Sequence, residues 1–380
     1  MNSFDIAILG AGPAGCAAAL SLAQTQCRAA LFEKEQFPRP KICGDGVCDR
    51  SVNVLRAISP QYYNEFLHLA EKQAMHSTLL FYKNNRFELK LKHAGYTCKR
   101  EMFDNFLFSL VLRNARNVEI FQNCAIQRVE EINGGFVLHN AHGEQFKTRL
   151  LIVANGAKSA IAQQLSGKKF SQTNSGVAIR AYYEGVSGCT PQSIELHYKK
   201  EFFPGYLWIF PMAHGECNVG FGTSIDIVKN DSVPMQERLQ QWISSDPNLA
   251  QRFANARRIS PLQGGLVPYN HNSFHCSGEG FMLCGDAASL IDPISGGGIG
   301  NAMLSGRLAA LQAIDCVKNN DFSAAKTKHY EQRLKKRLHR EMKTRLRIQQ
   351  SILRFPFLLS AVAVLAKSKA IFNRITRWYN

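Results

Sequence analysis

The stretch FDIAILGAGPAG, residues 4–15, decides how this sequence folds. Its first six residues, apolar but for Asp5, are of strand length, and Gly10, Gly12 and Gly15 lead into an Ala/Leu-rich segment of about ten residues. Gly10 permits the tight turn, Gly12 lets the backbone approach a pyrophosphate, and Gly15 lets helix and strand pack closely. The helix N-terminus then offers free N–H groups and a positive dipole end to phosphates. A second apolar strand at 29–32 ends in Glu33, 18 residues after Gly15. There a carboxylate accepts hydrogen bonds from a ribose diol and repels a 2′-phosphate. This βαβ unit suits FAD or NAD better than NADP.

Working outward, residues 103–112 read as helix, and 118–121 and 150–154 as strands. From about 170 to 270, short aromatic and β-branched runs between Gly, Pro and Asn turns read as an antiparallel sheet. Residues 281–284 form another buried strand, followed by a Gly-rich loop and a helix over 302–317. The α/β pattern thus returns after the sheet-like segment. The expected fold is α/β, with a discontinuous Rossmann-like domain over 1–75, 98–168 and 272–325. An antiparallel β-sheet substrate domain takes 76–97 and 169–271, and a basic helical segment takes 326–380.

The second glycine cluster runs Cys284-Gly285-Asp286-Ala287-Ala288, then Asp292 to Gly300. It resembles the second FAD fingerprint of glutathione-reductase-like flavoproteins. The resemblance implies that Asp286 holds the ribityl chain and that the helix beginning near Gly298 and Ile299 faces the flavin. Arg100, Phe103, Asp104 and Leu107 resemble the R..FD..L element, which places Arg100 beside the pyrophosphate. Residues 154–159, Ala-Asn-Gly-Ala-Lys-Ser, resemble the DG motif of flavin monooxygenases, with Asn155 where the aspartate is usual. Pro204-Gly205-Tyr206-Leu207-Trp208-Ile209-Phe210-Pro211, followed by Gly220-Phe221-Gly222, resembles the YxWxFP…GxG signature of geranylgeranyl reductases. Pro38 to Gly46, containing Lys41-Ile42-Cys43-Gly44, resembles their K.CG loop. Gly297 departs from that family, where glutamate is usual.

The resemblance implies an FAD-dependent oxidoreductase. Its implied cofactor residues are Gly10, Gly12, Ala14, Gly15, Glu33, Cys43, Gly44, Gly46, Arg100, Ala125, Asp286, Gly298 and Ile299. Its candidate catalytic residues are Cys43, Asp45, Tyr206 and Trp208. Hydride transfer from reduced FAD to an isoprenoid-type double bond is the expected reaction, on an apolar or lipid substrate. The proton donor stays open among Cys43, Asp45 and Tyr206. Cys43 also suits a small packed residue, Asp45 a cap, and the aromatics of 206–210 a packed period-2 strand. No second glycine fingerprint has its own strand and helix, so NAD(P)H or another reductant is expected to dock transiently. Flavin-dependent oxygenation or halogenation is the alternative, since the tryptophan strand also resembles that of flavin halogenases. A non-catalytic FAD or electron-transfer protein is a second alternative.

The 380 residues carry 46 Lys+Arg against 29 Asp+Glu, a net +17. From Lys326 onward there are 15 bases and two acids, a net +13, so the rest carries only +4. A nucleic-acid partner is not expected, because the aromatics are not interleaved with these bases. Leu334, Leu338, Met342 and Leu346 form one stripe of a helix. That stripe suits either an anionic membrane surface or packing on the FAD domain. In the first case the apolar run 355–366 dips into the interface, with Trp378 and Tyr379 nearby. Eleven scattered cysteines without a CxxC pair argue for a reducing compartment and against a metal site. No apolar run reaches 18 residues. A cytoplasmic protein, peripheral at the inner membrane face, is the expected setting.

Overall fold

The structure, a computed structural model, describes residues 1–167, 175–269, 275–355 and 357–358. FDIAIL becomes β1 (Asn2–Leu9), the centre of an eight-stranded sheet. Phe4, Ile6, Ala7, Ile8 and Leu9 are all buried, as an apolar run without alternation requires of a strand covered on both faces. β2 (Ala29–Phe32) and β9 (Gln145–Val153) flank β1 in parallel, with β6 (Val118–Phe121) beyond β2 and β17 (Phe281–Leu283) beyond β9. The short β16 (Ser277–Gly278) edges β17, and a hairpin of β7 (Ile126–Ile132) and β8 (Gly135–Asn140) pairs with β9. The strands therefore come from three separate parts of the chain. Helices α1 (Pro13–Leu22) and α9 (Ile299–Asn319) pack against this sheet, α4 (Arg100–Asn114) packs on α1, and α5 (Ala160–Ser166) follows β9. At the crossing of α1 and α9, a Cβ on Gly306 would lie 2.0 Å from the Ala14 carbonyl oxygen. Only glycine allows that approach.

The second sheet has nine strands. Its order is β14 (Arg257–Arg258), β10 (Ser175–Glu184), β13 (Cys217–Ser224), β12 (Tyr206–Pro211), β11 (Ser193–Tyr198), β4 (Lys72–Tyr82), β5 (Asn85–Cys98), β3 (Gly46–Val47). β15 (Gln263–Pro268) also pairs with β10. The sheet is antiparallel except at β4 and β11, which run parallel. These two strands come from distant stretches, so no hairpin fixes their relative direction. α2 (Asp49–Ile58) and α3 (Pro60–Leu67) link β3 to β4.

Residues 225–253 differ from the expectation of strands and turns. They form α6 (Ile225–Asn230), α7 (Met235–Ser245) and α8 (Pro247–Phe253). Met235, Leu239 and Trp242 recur at helical spacing, and Ser224 and Asp246 accept N-cap hydrogen bonds from Ile227 and Asn248. Together with Leu249 these residues cover Leu207, Ile209, Val219 and Phe221 in a second core.

The basic C-terminal region is helical and starts inside the first core. In α10 (Ala324–Leu334), the fully buried Tyr330 donates to the Leu283 carbonyl at 2.7 Å. Glu331 accepts from the Cys276 and Ser277 amides, which completes an edge of the first sheet. A wide turn at Lys335–His339 with i→i+5 bonding joins α10 to α11 (Arg340–Arg354). Leu334, Leu338 and Met342 are fully buried against the first core, and Leu346 is buried beside them. Residues four apart drift by about 40° per step on a regular helix, and the wide turn takes up that drift. Of the two readings of this stripe, the structure selects packing on the protein. Most of the 355–366 run, with Trp378 and Tyr379, lies outside the described residues.

Candidate active site

The two glycine fingerprints meet at one end of the parallel strands. Gly10 has φ +98°, and a Cβ there would lie 2.7 Å from the Ala154 carbonyl oxygen. A Cβ on Gly15 would sit 1.8 Å from the Gly10 carbonyl oxygen. Over Gly12 there is room, since a Cβ would meet only Arg39 Nη2, at 3.8 Å. Gly285, at φ +57°, packs against Ala14 and Ala302, which joins the second fingerprint to the first. Neither α1 nor α9 has a side-chain N-cap; their N-caps are Gly12 and Gly298. Both helix ends therefore present free N–H groups at the same cleft.

Glu33 is buried at the end of β2. It accepts from the Ala11 amide at 2.8 Å and from the Glu35 amide at 3.2 Å. Arg100 makes a two-pronged pair with buried Asp104, at 2.6 and 2.8 Å. Arg39, whose role the sequence did not signal, reaches Asp104 at 3.4 Å and lies 3.5 Å from Glu33. Its buried Nε has no hydrogen-bond partner. Asp286 is partly buried, and desolvation raises its pKa against the pull of Lys41 and Arg100. Open space over Gly12, two uncapped helix ends and the Arg39 guanidinium beside that space together fit an anionic dinucleotide. Gly12 and Arg39, with Glu33 nearby, would hold the pyrophosphate and ribose side. Asp286, Gly298 and Ile299 would hold the other end.

The cleft, of about 1630 Å³, continues from these loops onto the second sheet. On β12 the alternation is strict. Leu207 and Ile209 enter the second core, while Tyr206, Trp208 and Phe210 line the cleft. The GxG pair has a steric reason: a Cβ on Gly220 would strike Trp208 at 2.2 Å and the Ile179 carbonyl oxygen at 2.4 Å. Tyr206 donates its hydroxyl hydrogen to the Ser295 carbonyl, tying the aromatic strand to the second glycine loop. The Cys43–Gly46 loop lies over this strand, with Gly44 next to both Trp208 and Phe210.

A buried polar network holds that loop. Asp45 is fully buried with φ +66°. It accepts from Tyr182 Oη and Asn218 Nδ2, each at 2.7 Å, and from the Arg100 amide at 3.2 Å. Asn218 also donates to the Cys43 carbonyl and accepts from Trp208 Nε1, both at 2.9 Å. Burial raises the Asp45 pKa, opposed first by the Tyr182 and Asn218 hydrogen bonds. Burial also raises the Cys43 thiol, with the Arg100 charge pulling it down.

The residues singled out from the sequence thus gather around one cleft. Gly10, Gly12, Ala14, Glu33, Cys43, Gly44, Gly46, Arg100, Ala125, Tyr206, Trp208, Asp286, Gly298 and Ile299 line it. Gly15 lies beneath the turn and Asp45 behind its loop, and neither is part of the wall. Tyr182 and Asn218 were not signalled by any motif. They sit directly opposite each other on β10 and β13.

Residues 4–184 match the family described as pyridine nucleotide-disulphide oxidoreductase. The chain is 26% identical over 352 residues to the digeranylgeranylglycerophospholipid reductase of Thermoplasma acidophilum, covering 90% of this chain and 85% of that protein. It is 29% identical over 340 residues to digeranylgeranylglycerophospholipid reductase 2 of Methanopyrus kandleri, covering 87% and 82%. Its fold superposes on a geranylgeranyl bacteriochlorophyll reductase-like protein of Thermoplasma acidophilum with TM-score 0.82 and 24% identity, over 97% of this chain and 92% of that one. A flavin-dependent brominase shares the fold at TM-score 0.80 and 20% identity, over 99% and 93%.

Proposed function

We propose that this chain, an FAD-dependent oxidoreductase related to the geranylgeranyl reductases, reduces carbon–carbon double bonds of an isoprenoid-type substrate. The observation that carries this is the aromatic face of β12, Tyr206, Trp208 and Phe210, which shares one cleft with both glycine loops. An apolar chain laid on that face lies beside the loops that hold the flavin. Bound FAD, once reduced, supplies a hydride. The protein excludes water with the aromatic strand and fixes the Cys43–Gly46 loop through Asp45 and Asn218. The second carbon of the alkene needs a proton. Cys43 lines the cleft, and its raised pKa keeps the thiol protonated at neutral pH. We assign it as the donor. Asp45, with three donors pointing at it, positions the loop. NAD(P)H or another small reductant recharges the flavin transiently.

The test is mass spectrometry of isoprenoid lipids before and after anaerobic incubation with dithionite-reduced protein. A gain of two hydrogens per event is expected. Product formation only in the presence of oxygen would replace the reductase reading with oxygenation or halogenation.

We also propose contact with a lipid surface through the end of α11. Leu353, Phe355 and Phe357 are 46%, 47% and 66% exposed, and the Arg354 guanidinium lies 5.5 Å from the centre of the Phe355 ring. Apolar tips beside a base suit an anionic interface. No helix of the described residues is long and apolar enough to cross a membrane. Co-sedimentation with anionic liposomes should weaken when Phe355 and Phe357 are both changed to serine; equal binding would remove the proposal.

A further inference from the structure

The connection between β10 and β11 carries Cys189, which is half-buried, and β13 begins at Cys217, which is buried. Their sulfurs lie 3.7 Å apart, although 28 residues separate them in the chain. Neither residue lines the cleft. Arg252, near the end of α8, donates from Nη2 to the Cys189 sulfur at 3.3 Å. The same guanidinium forks onto buried Glu195 at 2.7 and 2.8 Å, and its Nε donates to the Ser187 carbonyl at 2.8 Å. Ser187 returns a bond from its amide to the Arg252 carbonyl at 3.0 Å. Arg252 is thus held in place by groups other than the thiol. A guanidinium donating to sulfur favours the thiolate. The hydrogen bond from the Cys217 thiol lowers the Cys189 pKa against burial, and the Arg252 charge lowers it further, while that same hydrogen bond pushes Cys217 up. The two sulfurs therefore differ in role: Cys189 gives up its proton first, and Cys217 keeps its own.

We propose that Cys189 and Cys217 form a reversible disulfide on exposure to hydrogen peroxide, locking the β10–β11 connection onto the second sheet. The Cys189 thiolate attacks one peroxide oxygen. The O–O bond breaks, and the departing hydroxide takes up the proton that Cys189 gave up, leaving as water. Cys189 is then a sulfenic acid. The Cys217 sulfur attacks the Cys189 sulfur, the S–O bond breaks, and the hydroxyl leaves with the Cys217 proton as a second water. Two thiols have lost two electrons and two protons, and the peroxide has been reduced to water. A disulfide holds its sulfurs about 2.05 Å apart, so the pair must close by about 1.7 Å from its 3.7 Å contact. Cys217 is fixed in a strand paired on both sides, opposite Tyr183 and Pro211. Cys189 makes the movement, on a connection whose Gly185, Ser187, Gly188 and Thr190 are exposed. This chemistry does not depend on what the cleft binds.

The test uses the full chain with FAD bound, reduced with dithiothreitol, freed of it and treated with hydrogen peroxide. Titration in denaturant should show two of the eleven thiols lost. Digestion without reductant should give the Cys189 peptide joined to the Cys217 peptide, two hydrogens lighter than their sum. Dithiothreitol should restore both thiols. The urea midpoint should be higher for the oxidised protein, because the bond closes a 28-residue span of the unfolded chain. C217A should stop at a Cys189 sulfenic acid that dimedone traps. C189S, on the exposed connection, should leave Cys217 a thiol, and keeps the test decisive should the buried C217A fail to fold. The proposal is overturned if both sulfurs are recovered as thiols while the exposed Cys48 is oxidised. It is equally overturned if Cys189 joins any other cysteine, or if Cys217 is oxidised in C189S as fast as in wild type. A bond that dithiothreitol cannot reopen, or one that leaves the midpoint unmoved, also refutes it.

Discussion

Replacing Asp45 by asparagine separates a positioning carboxylate from a proton donor. Asparagine tolerates the left-handed backbone at this position, so the exchange tests the carboxylate and spares the turn. Oδ2 accepts from Tyr182 and Asn218, and Oδ1 from the Arg100 amide. In Asp45→Asn the amide oxygen of the new side chain would best take the Oδ2 place and keep two of these bonds. Its NH2 would then face the Arg100 N–H, leaving a buried donor without an acceptor, at about 1–3 kcal/mol. Relief of the buried charge offsets part of this, since burial already raises the Asp45 pKa. A net loss of about 1–2 kcal/mol follows. Asp45→Ala orphans all three donors and adds about 1–2 kcal/mol of backbone strain, so its loss is larger and flavin retention falls with it. Denaturant unfolding, flavin release and anaerobic reduction rates should be measured on both variants. The positioning role predicts a modest fall in rate for the asparagine variant, in step with its stability. A fall of about 10²–10⁴ in rate at unchanged stability and flavin binding would identify Asp45 as the donor and refute the reasoning.

Three further outcomes follow from the geometry. Gly220→Ala should force Trp208 off its seat and cost about 1–3 kcal/mol, read as a lower unfolding midpoint and altered tryptophan fluorescence; an unchanged midpoint would contradict the contact. Glu33→Ala orphans the buried Ala11 amide, so it should weaken FAD binding and cost about 1–3 kcal/mol of stability; a titration with apo-protein checks this. If the Cys43 thiol donates the proton, the rate holds while the thiol is protonated and falls as pH rises through a pKa above the ordinary thiol range; Cys43→Ser should remove that alkaline fall, and its persistence would clear the thiol of the role.

Much of the cofactor side was legible because its demands are local. Gly10, Gly12 and Gly15 stand within six residues, and the tight contacts at Gly10 and Gly15 are with backbone that no side chain could displace. The aromatic face of β12 was legible for a similar reason: period 2 puts Tyr206, Trp208 and Phe210 together before any partner is known. The Asp45 network was not legible. Its members lie 137 and 173 residues from Asp45, and sheet register brings them to it. Helices α6 to α8 were hidden because the aromatics around them read as strand. The stripe from Leu334 to Leu346 was visible, but periodicity says only that a helix has an apolar side and never what meets it.

The burial of Tyr330, Leu334, Leu338 and Met342 in the first core has a consequence for biosynthesis. These residues leave the ribosome after nearly everything they touch. A nascent chain grown to residue 320 already holds every glycine of both cofactor loops. It still lacks the tyrosine that bonds the Leu283 carbonyl, the glutamate that satisfies the Cys276 and Ser277 amides, and the arginine paired with Asp292. Domains usually fold as they emerge, N-terminal parts first. Here the β16–β17 edge of the first sheet must wait for α10. A nascent chain that has not yet extruded α10 and α11 therefore presents an unfinished apolar surface that chaperones would be expected to cover.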